Sequence, residues 1–595
     1  MSAISFGKRI LNGSSALALS SIALLGVQPA SADPSEGIFG GGSTLASLAL
    51  RQEFDCWADH VVKATGPSTA VGGSCFPGVA TLGLYAGVGS GNGARAYIAN
   101  RADHLALGSF PSAINFPAVP PEYKDGSIAS PSYLTSYPYP HIDFGASDSP
   151  LASNLLSGLT VTTYTVTWGS TTVTAAVAGS ASYNSANWGA PIQLPLFEAP
   201  VAVAINVPTS GTNGWTINSQ TTLGAAGGAI QLSTAQVCAI FSGLVTNWND
   251  TTTNIPYLLS NGSTGTQKFS DDNSGVAYHT NKAITIVYRS DGSGTSFVFT
   301  NYLKNVCPLL DPSNTYGYQS IYNTSVLPNN NFTQLINKVT AYGRAFAATV
   351  GADGSDAVAA AIGNSSANDG RIGYLSNDFV QPYNPVSSTA PYGASLQNDY
   401  LRLHQVYHPG QSGDLGSAQN FIAPTPTSAD AAWAALNTTH GVTLSTTWTF
   451  NDYNIYAKTF PANTNLPGSP TSGNPGFVDI GGRSILPLAD GAAAYSLVGT
   501  AYGFFYSCYG DTTSPYAITG SSRESKIKDF LTWFYNVAGT KPSTGILNSR
   551  GFGGLPSAWV SNINAEYLNG SNPSVIAHPG APFTNCYSVT GGAQG

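Results

Sequence analysis

The sequence predicts an α/β protein, and three observations carry the prediction. Apolar, β-branched runs recur along the chain and are followed by runs of helical period; glycine- and serine-rich turns stand at the junctions; polar segments separate these units. The clearest unit is Ile284-Thr285-Ile286-Val287-Tyr288, an alternating strand pattern, followed by Arg289-Ser290-Asp291-Gly292-Ser293-Gly294-Thr295 and then by the amphipathic run Ser296 to Leu303. Two glycines at the junction allow a sharp turn, and the unpaired first-turn amides of the helix face whatever lies beyond it. Ser293 and Thr295 add hydroxyls, and Arg289 adds a guanidinium fork suited to a tetrahedral oxyanion. This is an anion cradle. It is not a nucleotide P-loop, since no lysine follows the second glycine.

The other elements follow in chain order. Lys8 and Arg9, the small apolar stretch Ile10 to Val27, and Ala30-Ser31-Ala32 form a secretory leader with cleavage expected near Ala32. Ile38 to Leu45 is a strand with a glycine turn, and Leu48, Leu50, Phe54, Trp57 and Val61 mark the helix after it. Gly87 to Gly93 is a glycine loop with one hydroxyl, Ser90. At Asp143-Phe144-Gly145-Ala146-Ser147-Asp148-Ser149-Pro150, Pro150 suits the first position of a helix, which makes Asp148 or Ser149 the expected N-cap. Pro200 to Pro208 is a buried strand bounded by prolines, Leu232 to Gly243 a short capped helix, Ser355 to Ile362 an alanine-rich helix and Arg371 to Leu375 a strand. Tyr495 to Thr500 is a further strand, and Ile527, Phe530, Leu531 and Phe534 form one helical face behind a capping box at Ser521 and Glu524. Segments of roughly 96–140, 209–229, 251–282 and 383–485 read as long loops and β-hairpins inserted in a smaller core.

The formal charge of −8 and a charged fraction of 9% speak against nucleic acid and anionic membranes as partners, because both call for basic patches. With so few titratable groups, stability is expected to depend weakly on pH. Six cysteines in an exported chain read as disulfides, not metal ligands, since no C-x-x-C spacing repeats. Proximity pairs Cys56 with Cys75; composition does not order Cys238, Cys307, Cys508 and Cys586. His404 and His408 are four apart but have no acidic neighbour, and Asp271-Asp272-Asn273 and Asp353-Gly354-Ser355-Asp356 lack full calcium-loop spacing. No metal and no cofactor is expected.

Together these loops resemble the phosphate-binding protein of bacterial phosphate ABC transporters, in particular its DING subfamily. Arg289 to Leu303 matches the family's central motif, Asp143 to Leu151 its acidic motif and Gly41 to Leu45 its first loop. Looser matches stand at Phe241 to Asp250, Gly370 to Tyr374 and Val498 to Cys508.

The resemblance implies a two-lobed periplasmic-binding-protein clamp, type II-like, carrying large loop and β insertions. Lobe I would comprise 33–205 and 497–595, and lobe II 206–496. Phosphate would be held by Thr44, Leu45, Ser90, Arg289, Ser293, Gly294 and Thr295, with Asp148 accepting the proton of hydrogenphosphate and Asp291 orienting Arg289. It also implies the disulfides Cys238–Cys307 and Cys508–Cys586. Sulfate has no proton to offer Asp148 at neutral pH, so one carboxylate both pairs with the right ligand and repels the wrong one. The implied role is exported, high-affinity phosphate binding, periplasmic or secreted, for an ABC permease, without catalysis. An exported DING-like phosphatase and a surface or adhesive protein reusing the clamp are the alternatives. The chain is about 200 residues longer than typical family members, which leaves its long insertions without an implied role.

Overall fold

The computed structural model describes residues 38–57, 83–100, 104–105, 142–157, 159–161, 164–168, 171–175, 179–258, 264–363, 365–384, 387–402, 421–436, 440, 450–467, 469–474, 476–510, 523–535, 543–570, 575–577 and 586. The secretory leader, Cys75, the His404/His408 pair, Ser521 and most of the 96–140 segment lie outside the described residues. Among the described residues no helix is long and apolar enough to cross a membrane.

A single nine-stranded sheet organises the chain. Its strands are β1 (Ile38–Gly42), β2 (Gly83–Gly87), β3 (Phe144–Ser147), β4 (Pro191–Ile205), β5 (Thr285–Arg289), β6 (Ala348–Ala352), β7 (Arg371–Ser376), β8 (Tyr392–Gly393) and β9 (Val498–Tyr506). The order is β6-β5-β7-β4-β9-β3-β1-β2, with β8 also pairing β4. Neighbours β2, β1 and β3 run parallel, as do β6, β5 and β7. Between these two groups stand β4 and β9, antiparallel to each other and to the strands they flank. The fold is therefore an α/β clamp: two parallel halves joined through a central antiparallel pair.

Burial explains why the strands read as unbroken apolar runs. Every residue of β1, β3 and β9 is buried, as strands covered on both faces require. Strand β4 is longer than its prolines suggested. It pairs with β9 from Pro191 to Pro200 and with β7 from Val201 to Ile205, and its register with β9 shifts between Ala501 and Tyr502, next to Pro195. A proline lacks a ladder donor, and the irregularity accommodates it without ending the strand.

Each parallel strand of interest feeds a helix whose apolar face lies on the sheet. These are α1 (Ser47–Trp57) after β1, α2 (Ser90–Ala99) after β2, α3 (Gly294–Leu310) after β5 and α4 (Gly354–Ile362) after β6, with α5 (Arg523–Phe534) packed over α1. Phe54 of α1 stacks on Phe530 of α5 at 4.2 Å between ring centroids, Tyr97 of α2 on Tyr506 at 4.7 Å, and Phe299 of α3 on Tyr374 of β7 at 4.6 Å. The packing fixes where each helix begins.

Two expectations need correction, and one set of contacts crosses the expected lobe boundary. The Gly87–Gly93 loop is shorter than expected, because Gly91 and Gly93 already belong to α2. A Cβ on Gly93 would stand 2.4 Å from the Ala146 carbonyl oxygen and 2.6 Å from Gly42 Cα, so glycine lets α2 press against β1 and β3. The 383–485 segment is not wholly an insertion on the core: β8 joins the central sheet, and Pro426–Ala434 is a capped helix with a proline in its first turn. Finally, residues 450–456 lie against Gln193, Tyr502 and Glu566, residues assigned to lobe I in the sequence reading, although the segment falls within the 206–496 span. Two disulfides join Cys238 to Cys307 and Cys508 to Cys586.

Candidate functional site

The carboxyl ends of β1, β2, β3, β5 and β6 open on one cleft between the two halves of the sheet, where ligands of open α/β sheets bind. Local sequence explains the convergence. Gly42 adopts φ +140, and the Val88 and Gly89 amides both donate to its carbonyl, at 2.8 and 2.7 Å, which pins the turns after β1 and β2 together. On the other side, the Gly91 amide donates to the Gly292 carbonyl at 3.0 Å, joining the two walls directly.

Asp148 sits at the centre. It is 1% exposed, and its carboxylate accepts hydrogen bonds from the Ser43 hydroxyl and, at 3.1 Å, from the Thr295 hydroxyl. Its amide donates to Ser90 Oγ at 3.2 Å. A Cβ on Gly294 would come within 2.6 Å of both Asp148 Cβ and Ser90 Oγ, so only glycine lets the start of α3 approach this closely. Burial pushes the Asp148 carboxyl up to about 6, against the lowering effects of Ser43, Arg289, Thr295 and Ser90.

The expected N-cap role is not what the structure shows. The helix after this strand begins at Ser153, so Pro150 is not its first residue, and Asp148 caps nothing. Its side chain is held between the Ser43 and Thr295 hydroxyls.

Arg289, at the end of β5, is 2% exposed and forms a two-pronged ion pair with Asp291, whose Oδ1 accepts Nε at 2.6 Å while Oδ2 accepts Nη2. Burial works against both charges, yet each holds the other: Asp291 is drawn below the usual carboxylate range and Arg289 is raised. The Gly354 amide, at the start of α4, also donates to Asp291 at 3.3 Å. Ser293 caps α3 by accepting the Ser296 amide, and its own amide donates to Asn330.

Thr44 and Leu45 complete the first wall. Thr44 Oγ1 lies 3.0 Å from Ser355 Oγ across the cleft, and the Leu45 carbonyl accepts the Ser376 hydroxyl at 3.2 Å. All eight predicted residues, Thr44, Leu45, Ser90, Asp148, Arg289, Ser293, Gly294 and Thr295, thus lie at or just after the carboxyl ends of β1, β2, β3 and β5, in the two parallel groups of the sheet. Among the described residues, no three His, Cys, Asp or Glu side chains are grouped as a metal would require. Asp272 of the supposed calcium loop instead accepts Ser233 and Gln267, a structural task.

Sequence reasoning missed three participants. Ser43 binds Asp148 directly, and Tyr456 donates to the Asp148 carbonyl at 3.1 Å. Ser355, fully buried, also accepts a hydrogen bond from Arg289 Nη1 at 3.3 Å. A signal for Ser355 was present: Asp353-Gly354-Ser355 after β6 repeats Asp291-Gly292-Ser293 after β5.

Residues 169–412 match the profile of a family described as the PBP superfamily domain. This stretch supplies the wall made by Arg289, Asp291, Ser293, Gly294, Thr295 and Ser355, while Thr44, Leu45, Ser90 and Asp148 come from residues before it. The chain is 26% identical over 504 residues to a protein called alkaline phosphatase L from Pseudomonas aeruginosa (strain UCBPP-PA14), covering 84% of this chain and 87% of that one. It is 24% identical over 458 residues to a phosphate-binding protein from an unknown prokaryotic organism, covering 76% and 93%. A crystal structure of a DING protein is similar with a TM-score of 0.49 and 19% identity, covering 93% of this chain and 99% of that one.

Proposed function

We propose that the protein binds inorganic phosphate, as hydrogenphosphate, in the cleft between the two halves of its sheet. The observation that carries this reading is the buried Asp148 carboxylate standing among donors. Neutral hydroxyls, the first-turn amides of α2, α3 and α4, and the Arg289 guanidinium favour a tetrahedral oxyanion. A carboxylate in the same ring favours an oxyanion only if that anion brings a proton. Phosphate does so at neutral pH, and sulfate does not.

In this reading Thr44, Leu45, Ser90, Arg289, Ser293, Gly294 and Thr295 donate, Asp148 accepts, and Asp291 holds Arg289 in place. The lobes are 33–205 with 497–595, and 206–496, and they close about β4 and β9. The leader before Asp33 exports the chain to the periplasm or beyond, where it serves phosphate uptake through an ABC permease. The phosphate-binding relative supports the ligand.

The relatives called alkaline phosphatase L favour a second reading, hydrolysis of phosphate esters. Within the structure, His279 faces Asp369 and His440 faces Asp490, so neither is oriented as a base toward Ser293. Calorimetry with phosphate, sulfate and a phosphomonoester separates the readings. Tight phosphate binding without ester turnover is expected; turnover, or no binding of phosphate, overturns the proposal.

A further inference from the structure

Resting on the phosphate reading, we infer that Tyr456 is a positioning residue for the Asp148 carboxylate, and that the 450–484 stretch is a working part of the anion site. Tyr456 lies more than 300 positions from Asp148 and belongs to a segment that the sequence leaves without a task. It stands in a 3-10 turn, Ile455–Ala457, capped by the Asn454 side chain, which accepts the Tyr456 amide at 3.1 Å.

The turn is anchored on both halves of the clamp. The Phe450 carbonyl accepts Gln193 Nε2 at 3.0 Å on β4, and the Ile455 amide donates to the Tyr502 hydroxyl at 2.9 Å on β9. Toward α3, the Tyr456 carbonyl accepts the Ser484 hydroxyl at 3.1 Å, the Ser484 amide donates to Asn305 Oδ1 at 2.9 Å, and Arg483 donates to the Asn305 carbonyl at 2.8 Å. The Tyr456 ring meets Phe297 of α3 edge-on, with centroids 5.0 Å apart. Rigid anchoring of this kind sets a hydroxyl where a free loop would not.

The target of that hydroxyl is the backbone of the proton-reading residue. Two backbone groups of Asp148 are held by side chains: its amide by Ser90 and its carbonyl by Tyr456. With the peptide groups on either side of Cα held, the Cβ is presented so that the carboxylate meets the Ser43 and Thr295 hydroxyls. Burial pushes the Tyr456 phenol well up from its ordinary value, so it remains a donor to the Asp148 carbonyl. With Ile455 bonded to Tyr502, the Tyr456 turn ties Asp148 to a central strand. It never needs to touch the anion.

Tyr456→Phe removes the hydroxyl and keeps the ring. Phosphate and sulfate affinities are measured by calorimetry at pH 8 on wild type and variant, and the ratio of the two dissociation constants is compared. A ratio is independent of the fraction of folded protein, so partial misfolding does not blur it. The ratio is expected to fall about tenfold, the worth of one buried hydrogen bond directed at a charged group's support. An unchanged ratio, including equal weakening of both anions, overturns the positioning role while leaving the phosphate reading in place. Failure of the wild type to prefer phosphate removes the reading itself, and the proposal with it.

Discussion

Replacing Asp148 by asparagine is the sharpest perturbation of the site. The carboxylate is 1% exposed, and burial has raised its pKa from 3.8 to about 6. At about 1.4 kcal/mol per unit, holding the charge there already costs about 3 kcal/mol before any ligand arrives. A charged sulfate oxygen at contact distance adds about 4 kcal/mol per unit charge at an effective dielectric constant near 20, whereas hydrogenphosphate presents a proton. A difference of about 4 kcal/mol is about a thousandfold in relative affinity. The asparagine amide donates to either anion, so Asp148→Asn is expected to weaken phosphate, strengthen sulfate and bring their dissociation constants together at pH 8. Wild type should lose preference in the same way below about pH 6, where Asp148 takes up a proton. Calorimetry with both anions reads each arm. A preference that survives the substitution refutes the proton-reading mechanism.

Other outcomes follow from the same coordinates. Ser355→Ala removes a hydroxyl 3.0 Å from Thr44 Oγ1 and 3.3 Å from Arg289 Nη1 and is expected to weaken phosphate about tenfold in the same titration; no change would remove Ser355 from the site. Gly93→Ala places a Cβ 2.4 Å from the Ala146 carbonyl and should cost about 1–3 kcal/mol of stability, read as a lowered denaturant midpoint. The pH dependence of stability reverses the expectation from composition. Asp148 at about 6, and Asp272 and Asp399 at about 7, are all raised by burial, so their contribution is complete below the unfolded carboxylate value near 4 and is lost as pH rises through 6 to 7. Thermal melting of the ligand-free protein should therefore move downward between pH 5 and 8, and a flat profile would contradict this.

The strand-turn-helix units were legible because their signals are local. Ile284–Leu303 shows its strand, its two glycines and its helix within twenty residues, and the structure has β5 and α3 there. Asp148 was ambiguous for a physical reason: an acidic residue beside Ser149 and Pro150 is equally good helix-cap chemistry, and only the packing of α3 against it decides between the two uses. Ser43 looked like part of a glycine turn, and the role of Ser355 depends on meeting Thr44 across 311 positions. Tyr456 is less legible still. Nothing around it has period or motif, and its task is set by anchors on β4, β9 and α3. Composition points to a weaker pH dependence than the structure does because it counts ionisable groups without weighing their burial. A few carboxyls in dry surroundings outweigh many at the surface.

The pairing of Arg289 with Asp291 has a consequence for how an anion arrives. The guanidinium is matched by a neighbouring carboxylate, Asp148 adds a further negative charge, and the chain as a whole carries −8. The net charge does not favour an approaching anion, so binding rests on a dense ring of short-range donors. Added salt is then expected to relieve repulsion instead of weakening attraction, and differences in affinity are expected in the rate of escape.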